Sequence, residues 1–152
     1  IILFSGANKL KNKNVNENDL NILLKKLYET NFFEDVSVKI ENNELIINLI
    51  ENSLVQNVRF EGIKNKDILE FLSEQIQLKK RTSYIKSYVK NDESIILNVL
   101  KGSGYYFAKI DSSIVENDNN TVDIIYNISL GEKAYIKKIK FIGNKVFKDG
   151  KL

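Results

Sequence analysis

LYETNFFEDV at Leu27–Val36 returns later in the chain as LKGSGYYFAKI at Leu100–Ile110. The two copies align at a spacing of 73 residues through Asn31, Phe32, Phe33, Gly104, Tyr105 and Tyr106. The second copy holds one more residue before Ile110, and we expect a β-bulge to absorb it. A repeat defines an architecture before any single residue does, so this duplication decides the fold.

A second pair of segments repeats at a spacing of 81 residues. VRFEGIKNKDIL at Val58–Leu69 matches IKFIGNKVFKDGKL at Ile139–Leu152. The positions that carry this match are Phe60, Gly62, Phe141, Gly143 and Asn144. The glycine after an aromatic strand end lets the chain turn tightly into the next helix. In the first repeat, the Asn or Gly allows a sharp turn from helix to sheet, and the aromatic pair places a ring over the helices.

Hydrophobic periodicity predicts the elements between the repeats. Apolar residues at helical spacing predict three helices, over 17–29, 68–76 and 85–100. Alternating or continuous apolar runs predict strands over 36–40, 45–50, 55–60, 105–115 and 121–130. We therefore expect a complete β-α-α-β-β unit at 53–131, a unit at 1–52 that lacks its first strand, and the first strand and beginning of a helix at 132–152. In the unit at 1–52, Ile1–Phe4 is expected to end the first helix.

Composition narrows the class of protein. A hydrophobic fraction of 43% is ordinary for a folded chain. Without Cys or His, thiol chemistry and the commonest general base are excluded. No apolar run approaches the roughly 20 residues that a membrane-spanning helix needs. The chain begins at Ile1 and holds no Met, so we expect it to be a piece of a longer protein.

No motif in the sequence indicates catalysis. Gly102–Gly104 follows a helix and precedes a strand, which is the wrong order for a dinucleotide-binding loop. The neighbouring carboxylates Glu34–Asp35 are expected on opposite faces of a strand, and Asp92–Glu93 on an exposed helix. We therefore predict no enzyme activity, no catalytic residues, no metal and no cofactor.

A nucleic-acid-binding protein is the alternative from another class. Residues 132–152 carry seven basic and two acidic side chains, and Tyr105 and Tyr106 could stack on bases. The lysines alternate with apolar residues as the solvent side of a strand does, so we expect no nucleic-acid partner.

The order and the repeated signatures resemble the POTRA (polypeptide-transport-associated) domain, and in detail those of BamA-type outer-membrane protein assembly factors. The segments that carry the resemblance are RFEG, FIGNK, LYETNFFEDV and GSGYYFAKI. Two positions depart from the family pattern: Asn31 stands where Gly is usual, and Ile63 rather than Asn follows Gly62. The resemblance implies an α+β fold of tandem modules, each a three-stranded mixed sheet with two helices packed on one face.

The resemblance also implies a function at the periplasmic face of the bacterial outer membrane. Unfolded outer-membrane proteins would add as strands to an exposed sheet edge, accessory lipoproteins would dock, and a C-terminal β-barrel of the same parent chain would insert the client. A TamA-like or two-partner secretion transporter is the close alternative. The implied edge residues are Val36, Ser37, Val38, Lys39, Ile40, Phe107, Ala108, Lys109, Ile110, Asp111, Ser112 and Ser113.

Overall fold

The computed structural model describes residues 7–11, 14–140 and 142. Among its described residues, the first unit contains a short 3-10 helix, one α-helix and an antiparallel hairpin. Its elements are Ala7–Leu10, α1 (Glu17–Glu29), β1 (Phe33–Glu41) and β2 (Glu44–Glu51). Asn42 and Asn43 form the hairpin turn, both with positive φ, as a tight two-residue hairpin turn requires.

The second unit has the predicted order β-α-α-β-β. Its elements are β3 (Leu54–Glu61), α2 (Lys66–Gln75), α3 (Lys86–Gly102), β4 (Lys109–Asn117) and β5 (Thr121–Ser129). The sheet order is β3-β5-β4, with β3 parallel and β4 antiparallel to the central β5. The predicted α+β fold with a three-stranded mixed sheet and helices is confirmed.

Each unit has its own hydrophobic core. In the second unit the inward residues of β5 alternate with outward ones, and α2 and α3 cover the inward face. The twelve buried residues of this core are Val55, Ile63, Leu72, Ile76, Leu78, Val89, Ile96, Leu100, Val122, Ile124, Tyr126 and Ile128. The first core is smaller and buries Leu23, Leu27, Phe33 and Val36.

Local sequence explains where the helices begin. The Asn16 side chain accepts a hydrogen bond from the Asp19 N–H at 2.9 Å, and the Asp19 carboxylate accepts from the Asn16 N–H at 3.2 Å. This reciprocal capping box starts α1. Asn65 caps α2 by accepting from the N–H groups of Asp67 and Ile68. Both caps satisfy N–H groups that have no partner within the helix.

Phe60 and Gly62, two positions of the repeat, both pack against the central strand β5. The Phe60 ring stacks on Tyr126 with ring centroids 5.6 Å apart. Gly62 has a φ of +91°, and a Cβ there would lie 1.8 Å from the carbonyl oxygen of Ile128. Any larger residue would collide with the backbone of β5, so close packing of the β3–α2 turn on the central strand requires glycine.

The structure corrects three details of the predicted elements. The extra residue of the second repeat makes no bulge: it lies in the turn before β4, and β4 pairs with β5 without a register shift. The bulge falls in the first copy instead, between Phe33 and Asp35 of β1. On α2, the helical spacing of Phe71 with Ile68, Leu72 and Ile76 predicts that all four lie on the apolar side, but Phe71 is 49% exposed.

The predicted strand around Ile136 and Ile139 does not form within residues 132–140. A strand needs a hydrogen-bonded neighbour, and the predicted module takes that neighbour from its hairpin, which follows both of its helices. Ile1–Phe4, Phe141, Gly143 and Asn144 lie outside the described residues. The assignment of 1–52 and 132–152 to partial units stays a prediction.

Candidate sheet-edge binding site

The outer edge of β4 is one of the two edges of the second unit's sheet. β4 pairs with β5 alone. Within the part of the chain that the structure describes, no other strand or side chain hydrogen-bonds to its outer edge. Five of the seven predicted residues here, Lys109 to Ser113, belong to this strand. An edge of this kind offers unpaired N–H and C=O groups to another extended chain.

Phe107 and Ala108, also predicted as edge residues, do not belong to β4. They lie in the turn closed by a hydrogen bond from the Ala108 N–H to the Tyr105 carbonyl at 3.3 Å. The apolar character of the segment predicted a strand, but these residues form the turn that connects α3 to the sheet. Phe107 is 72% exposed at the start of the edge strand.

Helix α3 is tied to the edge strand by Glu93. The Ser112 hydroxyl donates to the Glu93 carboxylate at 2.7 Å, and the Lys90 ammonium donates to its other oxygen at 2.8 Å. Burial pushes the pKa of Glu93 up, but the hydrogen bonds from Lys90 and Ser112 and the charge of Lys90 outweigh it and lower the pKa overall. The carboxylate therefore stays charged, and it holds the inward face of β4 against α3.

Asp92, next to Glu93, is fully buried rather than solvated, so its prediction on an exposed helix is wrong. Its carboxylate accepts from the N–H groups of Gln77 and Leu78 at 2.7 and 3.0 Å, and from the Tyr126 hydroxyl at 3.0 Å. These bonds satisfy a buried charge that would otherwise be costly. The network joins the α2–α3 connection to the central strand.

Tyr126 remains a hydrogen-bond donor in this network. Burial, followed by the charge of Asp92 and the hydrogen bond to it, holds the pKa of the Tyr126 phenol well above its ordinary value of 10.0. The group has a structural role, because each of its polar contacts is satisfied inside the core.

The edge of β1 in the first unit also lacks a strand partner other than β2 among the described residues. All five predicted residues, Val36 to Ile40, lie in β1. However, the Tyr28 hydroxyl accepts a hydrogen bond from the Val36 N–H at 3.2 Å. The same hydroxyl lies 3.4 Å from the Val36 carbonyl oxygen and 3.3 Å from an Asp35 carboxylate oxygen. A side chain from α1 thus occupies part of this edge, which the sequence analysis missed.

The repeated aromatic residues have unequal environments. Phe33 is buried in the first core, whereas its repeat partner Tyr106 is 61% exposed. Tyr105 instead packs against the second core, and the Lys133 ammonium lies 5.6 Å from its ring centroid. The first copy therefore buries the second ring of its aromatic pair, whereas the second copy packs the first ring of its pair against the core.

The exit segment of each unit is hydrogen-bonded to the turn after that unit's last helix. Asn31 and Gly104 have positive φ values of 58° and 93°. The Asn31 carbonyl accepts from the Asn52 side chain at 2.9 Å, and the Gly104 carbonyl accepts from the Ala134 N–H at 2.9 Å. Asn31 thus performs the left-handed turn for which Gly is usual, as Asn can.

Only two residues, Asn52 and Ser53, separate β2 from β3. The Asn52 N–H donates to the Phe32 carbonyl at 2.8 Å, and the Ser53 carbonyl accepts from the Tyr84 N–H at 2.7 Å. The Ser53 hydroxyl also donates to the Asn120 side chain at 2.8 Å. The linker between the units is therefore anchored to the first unit by Asn52 and to the second by Ser53.

Within the described residues, no group of three or more Asp and Glu side chains has a geometry that could hold a metal ion. None of the helices described is both long and apolar enough to traverse a bilayer. The candidate functional site is therefore the exposed edge of the sheet, together with the side chains beside it.

Comparison with known proteins identifies relatives of this chain. Residues 53–131 match the POTRA family, described as "Surface antigen variable number repeat". The outer membrane protein assembly factor BamA of Neisseria meningitidis serogroup B is 27% identical over 132 residues. That alignment covers 86% of this chain but only 17% of the relative.

Solved structures of Haemophilus influenzae BamA are also similar. The POTRA4 structure is 23% identical with a TM-score of 0.43, covering 54% of this chain and 95% of that one. The POTRA3-5 structure is 18% identical with a TM-score of 0.45, covering 88% of this chain and 58% of that one. With a family match over more than half of its length, this chain belongs to the POTRA family.

Proposed function

We propose that this chain is part of the periplasmic POTRA region of an outer-membrane protein assembly factor. It binds unfolded outer-membrane proteins as added strands and has no enzymatic role. The observation that carries this proposal is the unpaired outer edge of β4, in a chain whose relative is named as an outer-membrane protein assembly factor. Main-chain hydrogen bonds at such an edge give affinity with little demand on client sequence, which suits a factor with many clients.

The proposal includes the rest of the assembly. Accessory lipoproteins dock on the POTRA surfaces, and a C-terminal β-barrel of the same parent chain inserts the client into the membrane. Both partners are proposals because the chain spans 17% of the length of its BamA relative. That relative's name favours the assembly factor over a TamA-like or two-partner secretion transporter, which would differ in its client.

The nucleic-acid alternative has less support. One of its two proposed stacking residues, Tyr105, packs against the core and has Lys133 over its ring. A base would have to displace both contacts in order to stack there. We therefore expect no salt-dependent binding to a single-stranded oligonucleotide, and binding at low salt would support the alternative.

Amide hydrogen exchange measured by NMR tests the proposed function. Adding an unfolded outer-membrane protein segment should slow exchange in one or both predicted edges, at residues 36–40 or 109–113, because the added strand accepts hydrogen bonds from exposed N–H groups. A segment of the same length in which every second residue is replaced by Pro is the control, because Pro lacks the N–H group that strand pairing needs. Unchanged exchange at both edges would reject the proposal.

A further inference from the structure

The last turns of α1 and α3 are structurally equivalent. Leu27 and Leu100 are both buried, at the 73-residue spacing of the repeat. Two residues later, α1 ends at Glu29 and α3 at Gly102. The next residues, Thr30 and Ser103, both turn a hydroxyl back to a carbonyl of the helix. Tyr28 and Lys101 therefore occupy equivalent positions on their helices, each directly after the buried leucine.

Tyr28 shows which backbone groups of the edge strand this helix position contacts. Its hydroxyl contacts both the N–H and the carbonyl of Val36, so these backbone groups point away from β2. Backbone groups alternate in direction along a strand, so Val38 and Ile40 also face outward. A phenol both donates and accepts, which lets one side chain occupy both groups of Val36. An incoming strand must displace Tyr28 before it can pair at Val36.

Lys101 cannot block the outer edge of β4 as Tyr28 blocks Val36. An ammonium group donates but does not accept, so it cannot satisfy an outward N–H. Lys101 is exposed, and no described carboxylate lies within ion-pair distance of it. The helix position that blocks Val36 on the first edge therefore leaves the second edge unblocked.

The helix flank beside β4 is mainly basic. Glu93, which contacts Ser112 of β4, lies four and eight residues before Leu97 and Lys101, so the three side chains share one flank of α3. Lys90, on the same flank, is exposed and already neutralises Glu93. Leu97 is half-buried yet does not pack on the core. The flank thus presents an apolar patch between two lysines.

Charges on the strand itself only partly offset these lysines. Lys109 begins β4 and is exposed, and Asp111, two residues later, contributes one exposed carboxylate. Glu116 lies at the other end of the strand, where it and Lys86 line the same cleft. Lys109 and Asp111 lie on the face of β4 opposite the helices, because Ile110 and Ser112 face the core and α3. The helix side therefore keeps the positive charge of Lys101, and the matching ligand chemistry is an acidic side chain on the helix side of an added strand.

We propose that the two repeated edges have different roles. The edge of β4 docks an extended protein segment with acidic side chains beside Lys101, while Tyr28 keeps the edge of β1 closed. This inference rests on the proposed strand addition and specifies which edge takes the client and which segments it prefers.

The first test compares two ten-residue peptides that alternate Val with Glu or Val with Lys, titrated into the 152-residue chain at low salt. Exchange should slow along 109–117 and remain unchanged along 36–40. The Glu peptide should bind about tenfold more tightly, equivalent to about 1.4 kcal/mol. The preference should fade at about 1 M salt, where charges are screened beyond about 3 Å.

Reciprocal substitutions test the role of the repeated helix position. Tyr28→Phe keeps the ring but loses the hydroxyl, and it should open 36–40 to the peptide. Lys101→Tyr should weaken protection along 109–117, and Lys101→Glu should remove or reverse the charge preference. Lys64→Glu, with the same charge change in the β3–α2 loop, is the control and should preserve the preference.

Four results would overturn the inference in distinguishable ways. Equal protection of both edges in the unmodified chain would leave strand addition intact but reject the closed edge. Equal affinity for both peptides would reject the acidic preference alone. Protection of 109–117 that rises with protein concentration in the absence of peptide would identify a second copy as the occupant. Protection at neither edge would reject the proposed function as well.

Discussion

Gly62 allows the turn after β3 to pack directly against the backbone of β5. Its φ is positive, and any Cβ at this position would lie 1.8 Å from the Ile128 carbonyl oxygen, so every side chain is unfavourable. We predict that Gly62→Ala destabilises the second unit by roughly 3 kcal/mol, because backbone strain and displacement of β5 act together. Urea unfolding followed by circular dichroism measures this change.

Gly102→Ala is the matched control for that substitution. Gly102 lies in the last turn of α3, and a Cβ there would meet nothing within 4 Å. Alanine should therefore stabilise the chain by about 0.5–1 kcal/mol through its better helix propensity. If both variants changed stability equally, the close contact with Ile128 would have no special energetic role.

The buried carboxylate of Asp92 gives a second prediction at this scale. Asp92→Ala leaves two backbone N–H groups and the Tyr126 hydroxyl without their acceptor, so unfolding free energy should fall by about 3–5 kcal/mol. Tyr126→Phe removes one bond and should cost about 1–2 kcal/mol. A smaller loss in Asp92→Ala than in Tyr126→Phe, both measured by urea unfolding, would contradict this network.

At the scale of the elements, Glu93 couples α3 to β4 in a pH-dependent manner. Its folded pKa is lowered, so the stability it contributes is fully present above its ordinary pKa of 4.5 and is lost as pH falls through the lower folded value. We predict that Glu93→Gln costs about 1 kcal/mol at pH 7 and progressively less below about pH 4. Unfolding free energies of both proteins across this pH range provide the measurement.

A difference that stayed constant with pH would show that the Glu93 charge is not what holds β4. Ser94→Ala, one residue away on the exposed side of α3, is a control that should give no pH-dependent difference.

Periodicity and repetition predicted most elements but not their polar contacts. The helices and hairpins follow from apolar spacing, and the left-handed turn at Asn31 follows from its alignment with Gly104. Asp92 could not be recognised as buried, because an isolated Asp on a helix normally indicates solvent. Its partners come from Gln77, Leu78 and Tyr126, and only the tertiary fold brings them together.

The edge at β1 shows the same limit for the candidate site. Alternation predicted its residues, but the contact of Tyr28 with Val36 depends on how α1 crosses the strand. β4 starts four residues later than predicted, at Lys109 rather than Tyr105, because a turn and a strand share the same apolar character in this segment. Hydrophobic spacing specifies which side of an element is buried more reliably than where its hydrogen bonds end.

At the scale of the whole molecule, the separate cores predict unequal stability. Among the residues that the structure describes, the second unit buries twelve core residues and the first buries four. Because burial of apolar surface is the main stabilising contribution to folding, the first unit should unfold at lower urea concentration. Residue-resolved hydrogen exchange in increasing urea should show β1 and β2 losing protection before β5. Simultaneous loss would mean that the two units unfold as one.

The two-residue linker between the sheets has a mechanical consequence. Asn52 and Ser53 can span at most about 7 Å, and each is tied to a different unit. A pulling force on a strand bound at β4 would therefore be transmitted to the first unit with almost no slack in the linker. In successive units joined by linkers this short, the angle between one pair of units would determine the position of every unit beyond it.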